Sequence, residues 1–142
     1  MIEITRASGE RDVLIATLYG EARNESDDTA LEWLVWMIKN RAQKNKQHWG
    51  GSRIKDVCLH IGNFECWILN PKGIILSDKA AADRCAAIVD KVLSSTEDPT
   101  QSCDNFNKPN KDLMLLGTGY PHWTKSSVPL KRFGEYLFYR SD

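Results

Sequence analysis

The chain has no surplus of charge of either sign, since nineteen Lys and Arg stand against nineteen Asp and Glu. Without a basic excess, bulk electrostatics cannot hold a polyphosphate or an anionic membrane, so nucleic acid is not an expected partner. There is no apolar stretch near the ~18 residues of a membrane span. The opening Met1-Ile2-Glu3-Ile4-Thr5-Arg6 lacks the basic start and apolar run of a signal peptide, so export by the ordinary route is not expected to be encoded. No internal repeat or low-complexity tract appears, which excludes solenoids and arrays. With 142 residues, 42% of them hydrophobic, there is material for one ordinary core. A single domain over residues 1–142 is therefore expected.

Five Trp, four Tyr and four Phe are present, enough to furnish a groove that grips a polymer by stacking and hydrogen bonding, although aromatics also serve as core. The four cysteines, Cys58, Cys66, Cys85 and Cys103, could form two disulfides in three pairings or remain reduced as small buried apolar residues. Cys58-Leu59-His60 with Cys66, and His48 and His122 elsewhere, matches none of the common zinc spacings, so no metal and no cofactor are expected. A cysteine peptidase built on Cys58 or Cys66 is equally weakly signalled.

Periodicity makes the first half helical. Ser8 is a suitable N-cap for a helix through Val13, Leu14, Ala16, Leu18 and Ala22, with Glu21 in its last turn and Asn24 near its end. A second helix follows Ser26-Asp27-Asp28, with Ala30, Trp33, Leu34, Met37 and Ile38 as its apolar stripe. Leu31, Val35 and Trp36 widen that stripe and mark it as the central core helix. Gly50-Gly51 breaks the chain, Ile54 to Leu59 suits a short helical turn, and Ile61 to Ile75 reads as an irregular loop or hairpin. Ser77 or Asp78 caps a third long helix bearing Ala81, Cys85, Ile88, Val89, Val92 and Leu93. Glu97 to Asn110 reads as ordered loop, and Phe133 to Tyr139 as a strand. The sum is mainly α (α+β), with a small irregular β element.

Several segments, in order and over nearly the whole chain, resemble the cell-wall hydrolase family of the spore-cortex-lytic enzyme SleB and its relatives in bacteria and their phages. Ile15 to Glu25, containing Tyr19-Gly20-Glu21-Ala22-Arg23, is similar to a family motif in which a helix ends in Glu-Ala-Arg-Gly-Glu. Val35 to Arg41 is similar to the second-helix ending in Asn-Arg, Ile54 to Cys58 to the next short segment, and Asn63-Phe64-Glu65-Cys66-Trp67 to Gln-Phe-Ser-Cys-Trp. Asp98-Pro99-Thr100, Asn105-Phe106, Pro121-His122-Trp123 and Phe138-Tyr139 complete the series. The departures are Asn24 for Gly, Asn63 for Gln, Glu65 for Ser, Gln101-Ser102-Cys103 for Gly-Gly-Ala, and Asn107 for an aromatic. They spare Glu21 and alter groove positions, so they bear on substrate preference.

The resemblance implies a lysozyme-like, lytic-transglycosylase-like domain with Glu21 as the catalytic acid facing a saccharide cleft. A carboxyl partly desolvated at a cleft base keeps its proton toward neutral pH and can protonate a leaving oxygen. In a transglycosylase the muramic C6 hydroxyl is the nucleophile, so one Glu can act first as acid and then as base. A hydrolytic muramidase needs a second carboxylate. Glu25, at i+4 if the helix continued, is the candidate, or else it favours the start of the second helix. Arg23 could bind a stem-peptide carboxylate. Asn63, Phe64, Trp67 and Phe106 could line the groove, His122 and Trp123 its other wall, and Tyr139 could reach in by its hydroxyl. Core packing competes for each aromatic, and Arg41 is expected to be scaffold. The implied partner is a peptidoglycan glycan strand, with an immunity or delivery protein as a further candidate. The chain is expected to be a monomer that acts on the wall, in periplasm or spore cortex, after release, delivery or leader removal.

Overall fold

The computed structural model describes residues 2–116 and 119–141. They gather into two compact units, Met1–Thr96 and Glu97–Asp142.

In the first unit, strand β1 (Ile2–Ile4) leads into helix α1 (Glu10–Ala22). The N-cap is Gly9, one residue beyond the expected Ser8, because the Ser8 hydroxyl already accepts the Thr5 N–H at 3.0 Å and closes the preceding turn. Glu10 and Asp12 complement the positive end of the helix dipole. Every residue from Val13 to Tyr19 is buried, as a helix apolar on all sides must be. α1 packs on β1 and on every other α-helix and strand of this unit, so it, and not the second helix, is the hub.

Helix α2 (Asp28–Lys44) is capped by Asp27, whose Oδ1 accepts the Thr29 N–H at 2.9 Å, and ends in left-handed Asn45 with φ 52°. A 3-10 turn at Gln47–Trp49 and helix α3 (Ile54–Leu59) follow. The stretch expected to be an irregular loop contains helix α4 (Glu65–Leu69) and strand β2 (Ile74–Leu76), which pairs antiparallel with β1 in the register Ile2↔Leu76 and Ile4↔Ile74. Helix α5 (Lys79–Leu93) is capped by Asp78, its Oδ1 accepting the Ala81 N–H at 3.1 Å, and buries Cys85, Ile88, Val89 and Val92. Lys39 of α2 donates to the carbonyls of Val92 and Ser95, satisfying acceptors at the end of α5.

The second unit opens on a tight turn. The Asp98 carboxylate accepts from the Thr100 N–H and hydroxyl and from the Ser102 N–H, while Gln101 and Ser102 take φ of 58° and 66°. Strand β3 (Asn105–Asn107) lies where ordered loop was expected. Helix α6 (Pro109–Leu116), a 3-10 turn at His122–Ser126, and strands β4 (Ser127–Phe133) and β5 (Tyr136–Ser141) complete the unit. Of Phe133 to Tyr139, read as one strand, Tyr136–Tyr139 do lie in β5, while Phe133 ends β4 and the hairpin turns between them at Gly134, φ 53°. The sheet is antiparallel in the order β3-β5-β4, with a bulge between Pro129 and Lys131. Helices dominate the chain and the β element is small, which makes the fold mainly α and consistent with a lysozyme-like domain. No helix among the described residues is long and apolar enough to cross a membrane.

Candidate active site

The last turn of α1 carries Tyr19, Gly20 and Glu21 side by side. Glu21 is half-buried. Tyr19 is buried, and its hydroxyl accepts the Asp78 N–H at 3.1 Å and lies 3.4 Å from the Ser77 hydroxyl. These partners, Ser77 first, hold the phenol below its ordinary pKa by stabilising the phenolate. The turn is thereby tied to the entry of α5. Arg23 closes α1, its N–H donating to the Tyr19 carbonyl, and its exposed guanidinium lies 5.0 Å over the Tyr19 ring.

Gly20 leaves room that α4 occupies. A Cβ at Gly20 would lie 2.6 Å from the Cys66 Cβ and 2.9 Å from its Sγ. All four cysteines are free and buried, which settles the pairing alternatives. Burial pushes the Cys58 thiol up to about 12, and burial together with the negative charge of Glu21 pushes Cys66 up as well. Buried protonated thiols are poor nucleophiles, so neither residue suits a cysteine peptidase. Among the described residues no three His, Cys, Asp or Glu side chains converge as a metal site would require.

Glu25 does not lie one turn farther along α1. The helix has ended at Ala22, the Glu25 N–H turns back to the Ala22 carbonyl, and its carboxylate accepts the Asp27 N–H at 3.1 Å. Glu25 therefore sits at the entry to α2, where negative charge is favoured. Arg84 of α5 pins this junction, donating to the Glu25 carbonyl at 2.5 Å and to Asp28 at 2.6 Å.

The residues expected to line a groove from the Asn63–Trp67 segment are turned to the interior. Phe64 and Trp67 are each 2% exposed, so neither ring face is open to a sugar. The Trp67 Nε1 donates to the Thr17 hydroxyl at 2.9 Å, and Thr17 donates to the Val13 carbonyl at 2.7 Å. Asn63 donates to the carbonyls of Trp49 and Val57, bracing the loop. Arg41 is buried with its guanidinium 4.9 Å over Trp49, the scaffold place expected of it.

In the second unit, Phe106 is half-buried against the rings of Tyr136 and Phe138. His122 is exposed, and Trp123 is half-buried, edge-on to Tyr139 at 5.1 Å. The Tyr139 hydroxyl does not reach outward. It is buried, donates to Asn107 Oδ1 at 2.9 Å, and burial pushes its pKa up to about 12. Asn107 in turn donates to Asp112 at 2.9 Å and to the Gly119 carbonyl at 2.7 Å, a polar hub that sequence reasoning registered only as a departure from an aromatic. The contacts among Thr17, Gly20, Cys66 and Trp67 were likewise not foreseen. A helical glycine beside the acid was the available signal, because glycine is disfavoured there unless space demands it. The sequence-selected residues thus divide, with Glu21, Arg23, Glu25, Asn63, Phe64 and Trp67 in the first unit and Phe106, His122, Trp123 and Tyr139 in the second.

The first unit is thus a mainly helical body with a glutamate on the last turn of its hub helix. Residues 31–139, most of the chain, match the family model described as Cell Wall Hydrolase, and the chain belongs to that family. It is therefore an enzyme of cell-wall degradation with peptidoglycan as its substrate. Neither a curated protein nor a solved structure matches it.

Proposed function

We propose that the protein is a lytic transglycosylase that cleaves the β-1,4 bond between muramic acid and glucosamine, with Glu21 as its single acid and base. The observation that carries this reading is the half-buried Glu21 on a helix end, while Glu25 is off that helix and bound to the Asp27 N–H. Glu21 gives its proton to the leaving glycosidic oxygen as the anomeric C–O bond breaks. The C6 hydroxyl of the same muramic residue then bonds to the anomeric carbon and returns its proton to Glu21, leaving a 1,6-anhydro end. Intramolecular attack gains from high effective molarity and needs no second carboxylate. Arg23, exposed just beyond that turn, binds a carboxylate of the stem peptide in this reading. The enzyme acts on the wall itself, in periplasm or spore cortex.

Mass spectrometry of a glycan digest tests this. Anhydromuramic ends, lighter by one water, are expected, whereas reducing ends would make the enzyme a hydrolytic muramidase. Glu21→Gln should abolish cleavage and retain binding to sacculi. Release of free stem peptides alone would overturn both glycosidase readings in favour of an amidase. Wild-type protein that binds sacculi without cleaving them would identify a wall-binding module.

A further inference from the structure

We propose that Cys66 is a positioning residue for Glu21: it fills the place of the absent Gly20 side chain and so fixes the turn of α1 from which the acid projects. This rests on Glu21 as the acid. A glycine inside a helix is less favourable than alanine, and here the space for alanine is taken, with the Cys66 Cβ 2.6 Å and Sγ 2.9 Å from where a Gly20 Cβ would stand. The Cys66 thiol also reaches the Thr17 carbonyl at 3.9 Å, one helical turn earlier on the same face. The neighbouring Trp67 holds the Thr17 hydroxyl. α4 therefore grips α1 at residues 17 and 20, immediately before Glu21, and the charge of Glu21 is felt at the thiol. A shift of about 1 Å in a catalytic group is enough to lose up to about a hundredfold in rate.

The test is steady-state turnover of solubilised glycan strands, well below each variant's melting temperature. Gly20→Ala is expected to lower kcat at least about tenfold with KM held within about twofold, because α4 is forced off the acid-bearing turn. Combining it with Cys66→Gly empties the contested space and should restore kcat to within about threefold of wild type. Should Gly20→Ala fail to fold, Cys66→Ala decides, since it removes only Sγ and is expected to lower kcat several-fold at unchanged KM. A kcat per folded molecule equal to wild type in Cys66→Ala, a loss confined to KM, or no rescue in the double variant would overturn the proposal. Glu21→Gln is measured alongside. Cleavage by that variant sinks the assignment of the acid, whereas an inactive Glu21→Gln beside a fully active Cys66→Ala sinks the positioning role alone.

Discussion

Replacing Tyr139 with Phe separates a groove residue from a structural one. The Tyr139 hydroxyl and the Asn107 side chain are both buried, and a 2.9 Å bond runs from the hydroxyl to Asn107 Oδ1. Tyr139→Phe removes the donor and takes from a buried acceptor the bond it has, a loss of about 1–3 kcal/mol. The two bonds donated by Asn107 to Asp112 and Gly119 survive, which keeps the loss from being larger. For a chain of this size, ~3 °C of Tm is lost per kcal/mol, so a fall of roughly 3–9 °C is expected. In an Asn107→Ala background the same change should destabilise less, by a coupling of about 0.5–1.5 kcal/mol. The sign with pH is also fixed. Burial raises the folded pKa of Tyr139 above the ordinary value of 10.0 to about 12. The neutral phenol therefore contributes stability that is fully present below the unfolded pKa and is lost as pH rises through the folded one. Between about pH 10 and 12 wild type should lose more Tm than Tyr139→Phe does, the other tyrosines being common to both. Urea and thermal unfolding, with glycan turnover per folded molecule, check all of this. A Tyr139→Phe variant as stable as wild type but deficient in kcat would refute the structural role and return the hydroxyl to the substrate.

Thr17→Val takes the acceptor from the buried Trp67 Nε1 and should destabilise by about 1–3 kcal/mol, read as a lower urea midpoint at unchanged m. An unchanged midpoint would mean that this bond does not anchor α4. Gln101 holds φ at 58°, a conformation that costs a side-chain-bearing residue about 1–2 kcal/mol. Gln101→Gly is therefore expected to be neutral to ~1 kcal/mol more stable after the greater freedom of an unfolded glycine is allowed for. A clear fall in Tm would show that the Gln101 side chain makes a needed contact.

Helices α1, α2 and α5 were legible because their apolar spacing and the carboxylates of Asp27 and Asp78 act within a few residues of one another. Gly9 displaced Ser8 as the cap for a local reason too subtle for spacing, namely that the Thr5 N–H already claims the Ser8 hydroxyl. α4 and β3 were not legible. Five residues display no helical period, and a three-residue strand exists only because β5, some thirty residues later, pairs with it as Asn105↔Tyr139 and Asn107↔Leu137. The same division holds at the candidate site. Glu21 stood out by its motif, but whether Trp67 faces a sugar or the core is decided by a hydroxyl at Thr17, fifty residues away in sequence. For Glu25 the structure takes the reading at the start of α2 over the one a turn farther along α1, a choice charge spacing could not make because it says nothing about where a helix stops.

Glu21 itself precedes the matched stretch, which begins at Leu31. Family membership and the choice of acid therefore stand on different parts of the chain. What joins them is the way α1 is held. Its last two turns are fixed through the Thr17 hydroxyl by Trp67, through the vacant side of Gly20 by Cys66, and through the Tyr19 hydroxyl by the Asp78 N–H. All three holding residues lie inside the matched stretch. The sequence that defines the family thus builds the bed for a helix that comes before it, and the residue following those three contacts is the half-buried carboxyl. A helix needed only as filler would be served by apolar burial from Val13 to Leu18. Three separate fixings within five residues of Glu21 go beyond that need, and on the proposal that Glu21 is the acid they would hold the reacting group to within a fraction of an ångström.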